Sequence, residues 1–240
     1  MEQEYSRWLS HVAESDLLSQ LQTMSEQERR EAFCCDLSFG TGGLRGIVGA
    51  GTNRMNIYTV RRATQGLANY LKAQKLPMSA AIAHDSRLYG RTFAETAACV
   101  LAANGIKVYL YPRLEPTPAL SWAVRRYACG AGICITASHN PAQYNGYKVY
   151  GSDGCQITLD AANAIEAEIA VVDCFMDVQT CGYQEARADG RIESIPDSVL
   201  DAYVDAVYAQ RVTDADCSGP PARNQSSSSI WKSMKAIRSG

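Results

Sequence analysis

The sequence lacks the features of several large classes of protein. Its 240 residues carry 23 Lys and Arg against 25 Asp and Glu, so there is no basic field to attract nucleic acid. No apolar run reaches the length of a membrane span. The N-terminus, Met-Glu-Gln-Glu-Tyr-Ser-Arg-Trp, has neither the basic nor the apolar region of a signal peptide. We therefore expect a cytoplasmic protein that binds neither nucleic acid nor membrane.

The nine cysteines include no Cys-x-x-Cys pair. Cys99, Cys129 and Cys134 lie within apolar patterns, which is typical of reduced thiols in a core. The adjacent Cys34 and Cys35 could form a metal or redox site. Because no partner ligands lie near them in the sequence, we favour two packing thiols.

Helical and strand patterns divide the chain into three parts. Residues 1–36 are predicted to be helical, with a capping box at Ser25 and Glu28. From Asn56 onward, strand and helix patterns alternate, which predicts that residues 37–210 form an α/β domain with a mostly parallel (mixed) sheet covered by helices on both faces. Residues 211–240 contain few apolar side chains, so we expect a disordered or non-native tail.

Residues 136–148 read Thr-Ala-Ser-His-Asn-Pro-Ala-Gln-Tyr-Asn-Gly-Tyr-Lys and carry the strongest chemical signal. Ser138 follows an apolar run, Ala131 to Ile135, and enters a turn that Pro141 and Gly146 keep from becoming helical. The serine is therefore predicted just past the end of a strand, where α/β folds place reactive groups. A lysine ten residues later could face the same crevice. No Gly-x-Ser-x-Gly motif surrounds the serine, so a hydrolase is not indicated.

This segment resembles the active-site loop of the α-D-phosphohexomutase superfamily, the phosphoglucomutases and phosphomannomutases. Residues 39–46, Phe-Gly-Thr-Gly-Gly-Leu-Arg-Gly, resemble the family's N-terminal glycine-rich loop. Residues 49–56, Gly-Ala-Gly-Thr-Asn-Arg-Met-Asn, are similar to its phosphoglucomutase-like branch, which includes phosphopentomutases. Two separated motifs in the family's order are much stronger evidence than one. The resemblance implies that residues 37–210 form the family's phosphoserine domain.

The resemblance also implies an activity, the interconversion of glucose 1-phosphate and glucose 6-phosphate through a phosphoserine and a sugar bisphosphate. Ser138 matches the phosphoserine position, and Arg45 matches an arginine that contacts the phosphoryl group with a planar fork of donors. Lys148 matches the candidate general acid/base, which would need a depressed pKa from burial beside Arg45. His139 is assigned an auxiliary catalytic role in binding the phosphate, and Thr41 is counted among the phosphate-binding residues.

Supporting roles are predicted for four further residues around this loop. Asp85 and Arg87 follow an earlier strand and are expected to brace the site as an ion pair. Asn140 and Asn145 are expected to hold the turn through bonds from side chain to backbone.

The implied cofactors are Mg²⁺ and glucose 1,6-bisphosphate, the latter as activator and intermediate. In the family, Mg²⁺ bridges the phosphoserine and three aspartates of an Asp-Gly-Asp-Gly-Asp-Arg loop. That loop and the family's sugar and C-terminal phosphate loops are not in this sequence, so Ser138, through its phosphate, is the only recognisable metal-ligand position. We therefore expect an incomplete N-terminal portion that is inactive alone. Phosphomannomutase, phosphopentomutase and an inactive phosphosugar- or partner-binding fragment are the alternatives.

Overall fold

The computed structural model of the protein describes residues 1–40 and 42–210. Residues Met1–Asp201 form one compact unit, and the described residues 202–210 belong to a second. Thr41 and the tail predicted for residues 211–240 lie outside the described residues.

The chain alternates between helices and strands after a helical N-terminal segment. The N-terminal helices are α1 (Glu2–His11), α2 (Ser15–Thr23) and α3 (Glu26–Phe33). The next elements are β1 (Leu44–Ile47), α4 (Ile57–Ala73), β2 (Ser79–His84), α5 (Gly90–Ala103), β3 (Lys107–Leu110) and α6 (Thr117–Arg126). They are followed by β4 (Ala131–Ile135), β5 (Tyr144–Gly151), α7 (Leu159–Ala170), α8 (Tyr183–Ala188), β6 (Ile192–Ser194) and α9 (Asp197–Ala209).

The six strands form one mixed sheet in the order β1-β5-β4-β2-β3-β6. The pairs β4–β2, β2–β3 and β3–β6 are parallel, whereas β5 is antiparallel to both β1 and β4. Helices cover both faces. On one face α6 packs so closely that a Cβ at Gly132 would lie 2.5 Å from Val124 Cγ2. On the other face, Ile82 and Ile133 share the main apolar core with residues of α4, α5 and α7. The predicted mixed α/β architecture is confirmed.

The N-terminal helices pack through an aromatic cluster. Trp8 is 1% exposed and meets Phe33, Tyr58 and Phe175 edge-on, with ring centroids 5.5–5.7 Å apart. Such aromatic pairs add about 0.5–1.5 kcal/mol each to the burial of apolar area. This cluster joins α1 and α3 to the start of α4 and to the segment after α7. The capping box is present too, because Ser25 Oγ accepts a hydrogen bond from the Glu28 backbone.

The cysteines divide into buried and exposed groups. Cys99, Cys129 and Cys134 are buried as predicted. Burial raises the pKa of the Cys129 thiol to about 11 and that of the Cys134 thiol to about 12. Cys34 and Cys35 are both exposed, so the interpretation as packing thiols is wrong. Among the described residues, no helix combines the length and apolarity needed to cross a membrane.

Candidate active site

The serine loop begins at a point where the strand order of the sheet reverses. From β2 the chain passes through α5 to β3 on one side, and from β3 through α6 to β4 on the other. The carboxyl ends of β2 and β4 therefore border a crevice, the usual ligand position in open α/β sheets. Ser138 lies three residues after the end of β4 and is exposed there.

Ser138 adopts a left-handed backbone conformation, with φ of +55°. For a residue with a Cβ this conformation costs roughly 1–2 kcal/mol. The Ser138 backbone N–H donates to Thr136 Oγ1 at 2.9 Å, and the Asn140 N–H donates to the Ala137 carbonyl at 3.1 Å. The loop is thus a tight turn whose local cost must be offset by contacts with the rest of the domain.

Lys148 reaches the serine from within β5. Its Nζ donates to Ser138 Oγ at 2.6 Å. The prediction that Gly146 lies in the turn is wrong, because β5 begins at Tyr144 and contains Gly146. Glycine is required in that strand, since a Cβ there would lie 2.6 Å from the Thr136 carbonyl oxygen and 2.9 Å from that of Leu44. The amine is therefore fixed by a strand rather than by a mobile turn.

Arg45 lies on the same face of the sheet as Lys148. Arg45 pairs with Gly146 across β1 and β5, and directly paired residues lie on the same face of a sheet. Because side chains alternate along a strand, Lys148, two residues after Gly146, lies on that face too. The exposed Arg45 guanidinium donates from Nη1 to Asn140 Oδ1 at 3.1 Å. It thereby reaches the serine loop from the neighbouring strand.

The glycine-rich turn meets the other motif directly. Gly40 and Gly43 exchange backbone hydrogen bonds of 2.7 and 3.3 Å. Gly43 has φ of +81°, and a Cβ there would overlap the Tyr147 carbonyl oxygen and lie 2.9 Å from Lys148 Cα. Two motifs about a hundred residues apart therefore touch at the lysine.

Arg87 holds the serine loop by its backbone. Its side chain is only 12% exposed and pairs with Asp85 at 3.6 Å, which is the predicted ion pair. The guanidinium also donates to four carbonyl oxygens of the loop, a contact set that we call the carbonyl clamp. Its acceptors are Ser138 at 2.9 Å, Asn140 at 2.6 Å, Pro141 at 2.9 Å and Tyr144 at 2.9 Å. The sequence predicted the ion pair, but nothing in it indicated the carbonyl clamp.

The remaining predicted residues differ in their contacts. His139 is exposed beside the serine, and its ring makes no hydrogen bond to another residue of the described chain. Asn145 is fully buried, donates to the Leu88 carbonyl at 2.8 Å and accepts from Gly146 N–H at 2.7 Å. Asn145 therefore holds the start of β5 against the segment after β2, whereas Asn140 bonds Arg45.

The implied Mg²⁺ site can be tested against the donor atoms present. Nowhere in residues 1–40 and 42–210 do three His, Cys, Asp or Glu side chains come close enough to hold a metal ion. Asp85, which follows β2 at this edge of the sheet, is paired with Arg87. Mg²⁺ requires an octahedral set of oxygen ligands, including carboxylates or phosphates. The described residues do not fit a complete magnesium site.

A family model and individual relatives both match this chain to the same group of proteins. A sequence model of the phosphoglucomutase/phosphomannomutase alpha/beta/alpha domain I matches residues 36–173. The phosphoglucomutase of Staphylococcus aureus strain USA300 is 39% identical over 203 residues, which cover 82% of this chain and 35% of that enzyme. The phosphoglucomutase of Staphylococcus saprophyticus is 35% identical over 196 residues, covering 82% and 36%.

A solved structure agrees with the sequence matches. A Thermus thermophilus protein described as a phosphomannomutase superposes with a TM-score of 0.61 at 29% identity, over 73% of this chain and 36% of that one. The chain spans about a third of the length of the curated relatives it matches, 35–36%. On the domain match and these identities, the chain belongs to the phosphoglucomutase/phosphomannomutase family.

Proposed function

We propose that this chain is the phosphoserine-bearing portion of a phosphoglucomutase, an isomerase of glucose metabolism that acts by intramolecular phosphotransfer. The observation that carries the proposal is the 2.6 Å hydrogen bond from Lys148 Nζ to Ser138 Oγ, on the sheet face that also carries Arg45. A nucleophilic hydroxyl, a base and a phosphate-binding cation are the groups that a phosphoserine mutase needs. The named phosphoglucomutase relatives support the same activity.

Phosphoryl transfer depends mainly on positioning and on stabilising negative charge. In the proposed first half-reaction, a sugar hydroxyl oxygen forms a bond to phosphorus as the bond from phosphorus to Ser138 Oγ breaks. The hydroxyl proton passes to the Lys148 amine, and the resulting ammonium is placed to protonate the departing Ser138 oxygen. Arg45 binds the phosphate oxygens, and His139 donates a further hydrogen bond to them. Thr41, which lies outside the described residues, remains a predicted phosphate-binding residue.

In the second half-reaction the bisphosphate returns its other phosphoryl group to Ser138. The same proton then moves in the opposite direction, from Ser138 through Lys148 to the sugar oxygen. Each cycle therefore regenerates the phosphoserine and consumes no proton. Glucose 1,6-bisphosphate is the intermediate that this scheme requires and the activator that would phosphorylate a free serine.

The family uses Mg²⁺ to neutralise phosphate charge, and the described residues lack its carboxylate ligands. We therefore infer that this chain alone accepts a phosphoryl group but does not complete catalytic cycles. In a coupled assay with glucose 1-phosphate, Mg²⁺ and glucose 1,6-bisphosphate, no turnover is expected. Turnover at ordinary enzyme rates would contradict this inference.

The substrate and the location of the protein are proposed on different grounds. Glucose phosphates follow from the phosphoglucomutase relatives, while mannose and pentose phosphates remain alternatives because the family's sugar-recognition loop is not in this sequence. Cytoplasmic localisation remains a prediction from the sequence. The partner is a small phosphosugar, and no protein partner is proposed.

The central test is the phosphorylation of Ser138. We expect incubation with glucose 1,6-bisphosphate to add one phosphoryl group, measured by intact mass, and Ser138→Ala to abolish the gain. Ser152→Ala, at another exposed serine next to β5, is the matched control and is expected to behave as the unmodified chain. Retention of the phosphoryl group in Ser138→Ala would refute the assignment.

The missing carboxylates also favour a second candidate, a phosphosugar-binding fragment without chemistry. That candidate predicts stabilisation of the fold by glucose 1,6-bisphosphate with no gain in mass. Thermal unfolding and intact mass measured on the same samples separate the two functions. Stabilisation without phosphorylation would favour the binding fragment.

A further inference from the structure

Two neighbouring thiols at the end of α3 form a defined pair. Cys34 and Cys35 are both exposed, and their Sγ atoms lie 3.6 Å apart, within hydrogen-bonding distance. The candidate active site uses neither of them. A pair of converging, exposed thiols is a different feature from the buried cysteines of the core.

The pair is held in place by the loop that follows β1. Asn53 Nδ2 donates to Cys34 Sγ at 3.5 Å, and the Cys34 thiol lies 3.6 Å from the Glu31 carbonyl oxygen. The Cys35 carbonyl accepts from Thr52 Oγ1 at 2.8 Å. Both the backbone and one sulfur are therefore fixed by neighbouring residues, so the convergence does not depend on two freely rotating side chains.

The spacing selects among the chemistries available to two thiols. Neighbouring Cα atoms lie about 3.8 Å apart, below the roughly 4.4–6.8 Å usual across a disulfide. Two bonds of about 2.3 Å, the length of a zinc–thiolate bond, span about 3.8 Å at a tetrahedral angle and about 4.6 Å in a linear arrangement. The observed 3.6 Å fits one soft atom bound by both sulfurs at a bent angle.

The number of protein groups that can bind a ligand here limits its chemical class further. A structural zinc site needs four ligands. In the described part of the chain no third His, Cys, Asp or Glu joins the two thiols as a metal-binding group. The bound atom must therefore need only two sulfur ligands from the protein, and the ligand molecule must supply its remaining substituent.

We propose that Cys34 and Cys35 form a binding site for trivalent organoarsenicals. In the reaction, two S–H bonds and the arsenic–oxygen bonds of an organoarsenic oxide break. Two arsenic–sulfur bonds form, and the oxygen leaves with both protons as one water molecule. Arsenic stays trivalent and both sulfurs stay reduced, so the step needs no oxidant.

The test uses phenylarsine oxide and the full chain. Intact mass is expected to show one phenylarsenic group added with loss of one water. Binding through two sulfurs raises affinity by roughly 100-fold or more over one sulfur, because the second bond forms at high effective concentration. Cys34→Ser and Cys35→Ser should each weaken binding by that factor, while Cys155→Ser, at a single exposed thiol, and Cys217→Ser should not.

Release distinguishes bidentate from single attachment. The adduct should survive a monothiol and be removed by 2,3-dimercaptopropanol at the same thiol concentration. An adduct that persists on the Cys34→Ser/Cys35→Ser double variant, or that a monothiol removes, would overturn the proposal. Far-UV circular dichroism of each variant checks that the fold is intact. The readout does not depend on phosphorylation of Ser138, so this proposal and the proposed function can fail separately.

Discussion

The carbonyl clamp of Arg87 leads to a quantitative prediction for Arg87→Met. The variant keeps an apolar stem of similar length and removes the donors to four loop carbonyls. Hydrogen bonds to charged groups contribute roughly 1.5–3 kcal/mol each when buried, but water can replace those at the exposed Ser138 and Pro141 carbonyls. The loss is therefore expected to appear mainly as local disorder of the loop rather than as global unfolding.

The size of the effect follows from the backbone of Ser138. Its left-handed conformation costs roughly 1–2 kcal/mol, which the carbonyl clamp offsets. Without the clamp, the population of the productive loop should fall by roughly 5–30-fold, since 1.4 kcal/mol corresponds to about a factor of ten. The initial rate of Ser138 phosphorylation by glucose 1,6-bisphosphate, followed by intact mass, should fall by the same factor.

Two comparisons make this prediction specific. Arg87→Lys keeps the charge but not the planar fork, so it should restore only part of the rate. Arg91→Met, which removes an arginine that is 71% exposed and paired with Glu95, should leave the rate unchanged. Urea unfolding should show that the slow phosphorylation of Arg87→Met is not explained by unfolded protein. A rate equal to that of the unmodified chain would refute the reasoning.

Two further predictions concern stability. Gly43→Ala should destabilise the fold well beyond the roughly 1–2 kcal/mol cost of a left-handed residue, because its Cβ would also overlap a β5 carbonyl oxygen. Gly190→Ala, which has φ of +80° and open space for a Cβ, is the matched control in urea unfolding, and equal losses would contradict the steric argument. Burial raises the pKa of Cys134 to about 12, above the usual thiol value, so the unfolded chain loses this proton first as the pH rises. The free energy of unfolding should therefore fall between about pH 9 and pH 12, less steeply in Cys134→Ala; equal slopes would be evidence against this cause.

The sequence predicted the elements whose patterns are long and strongly apolar. Strand β4 lies where the apolar run from Ala131 to Ile135 predicted it, and the predicted alternation of helices and strands is present from α4 to α7. Strand β1 was read as part of a glycine-rich loop, because its four residues, Leu-Arg-Gly-Ile, carry an arginine and a glycine. Strand β6, with three residues, is too short to show any period. Both strands form only because a neighbouring strand offers a partner, which sequence patterns do not reveal.

The candidate site was only partly predictable for a related reason. The motifs contain residue types that indicate their chemistry, namely Ser138, Lys148 and Arg45. In the structure Lys148 bonds Ser138, and Arg45 bonds Asn140 of the same loop. Arg87 donates hydrogen bonds to backbone carbonyl oxygens, and every residue has one. Which carbonyls it reaches depends only on the path of the loop, so the residue types could not reveal its partners. Gly146 was misread for the opposite reason, because glycine usually marks a turn but here permits a close approach between strands.

The position of Lys148 within β5 links the reactive amine to the core. The preceding residue, Tyr147, is fully buried and points to the opposite face. Slippage of β5 by one residue would exchange the two faces, placing an ammonium inside and an aromatic ring in solvent. A slipped register would therefore expose the Tyr147 ring and place the Lys148 charge in apolar surroundings. Molecules that fold to the lowest free energy therefore all present the amine at the same place, without any separate device to align it.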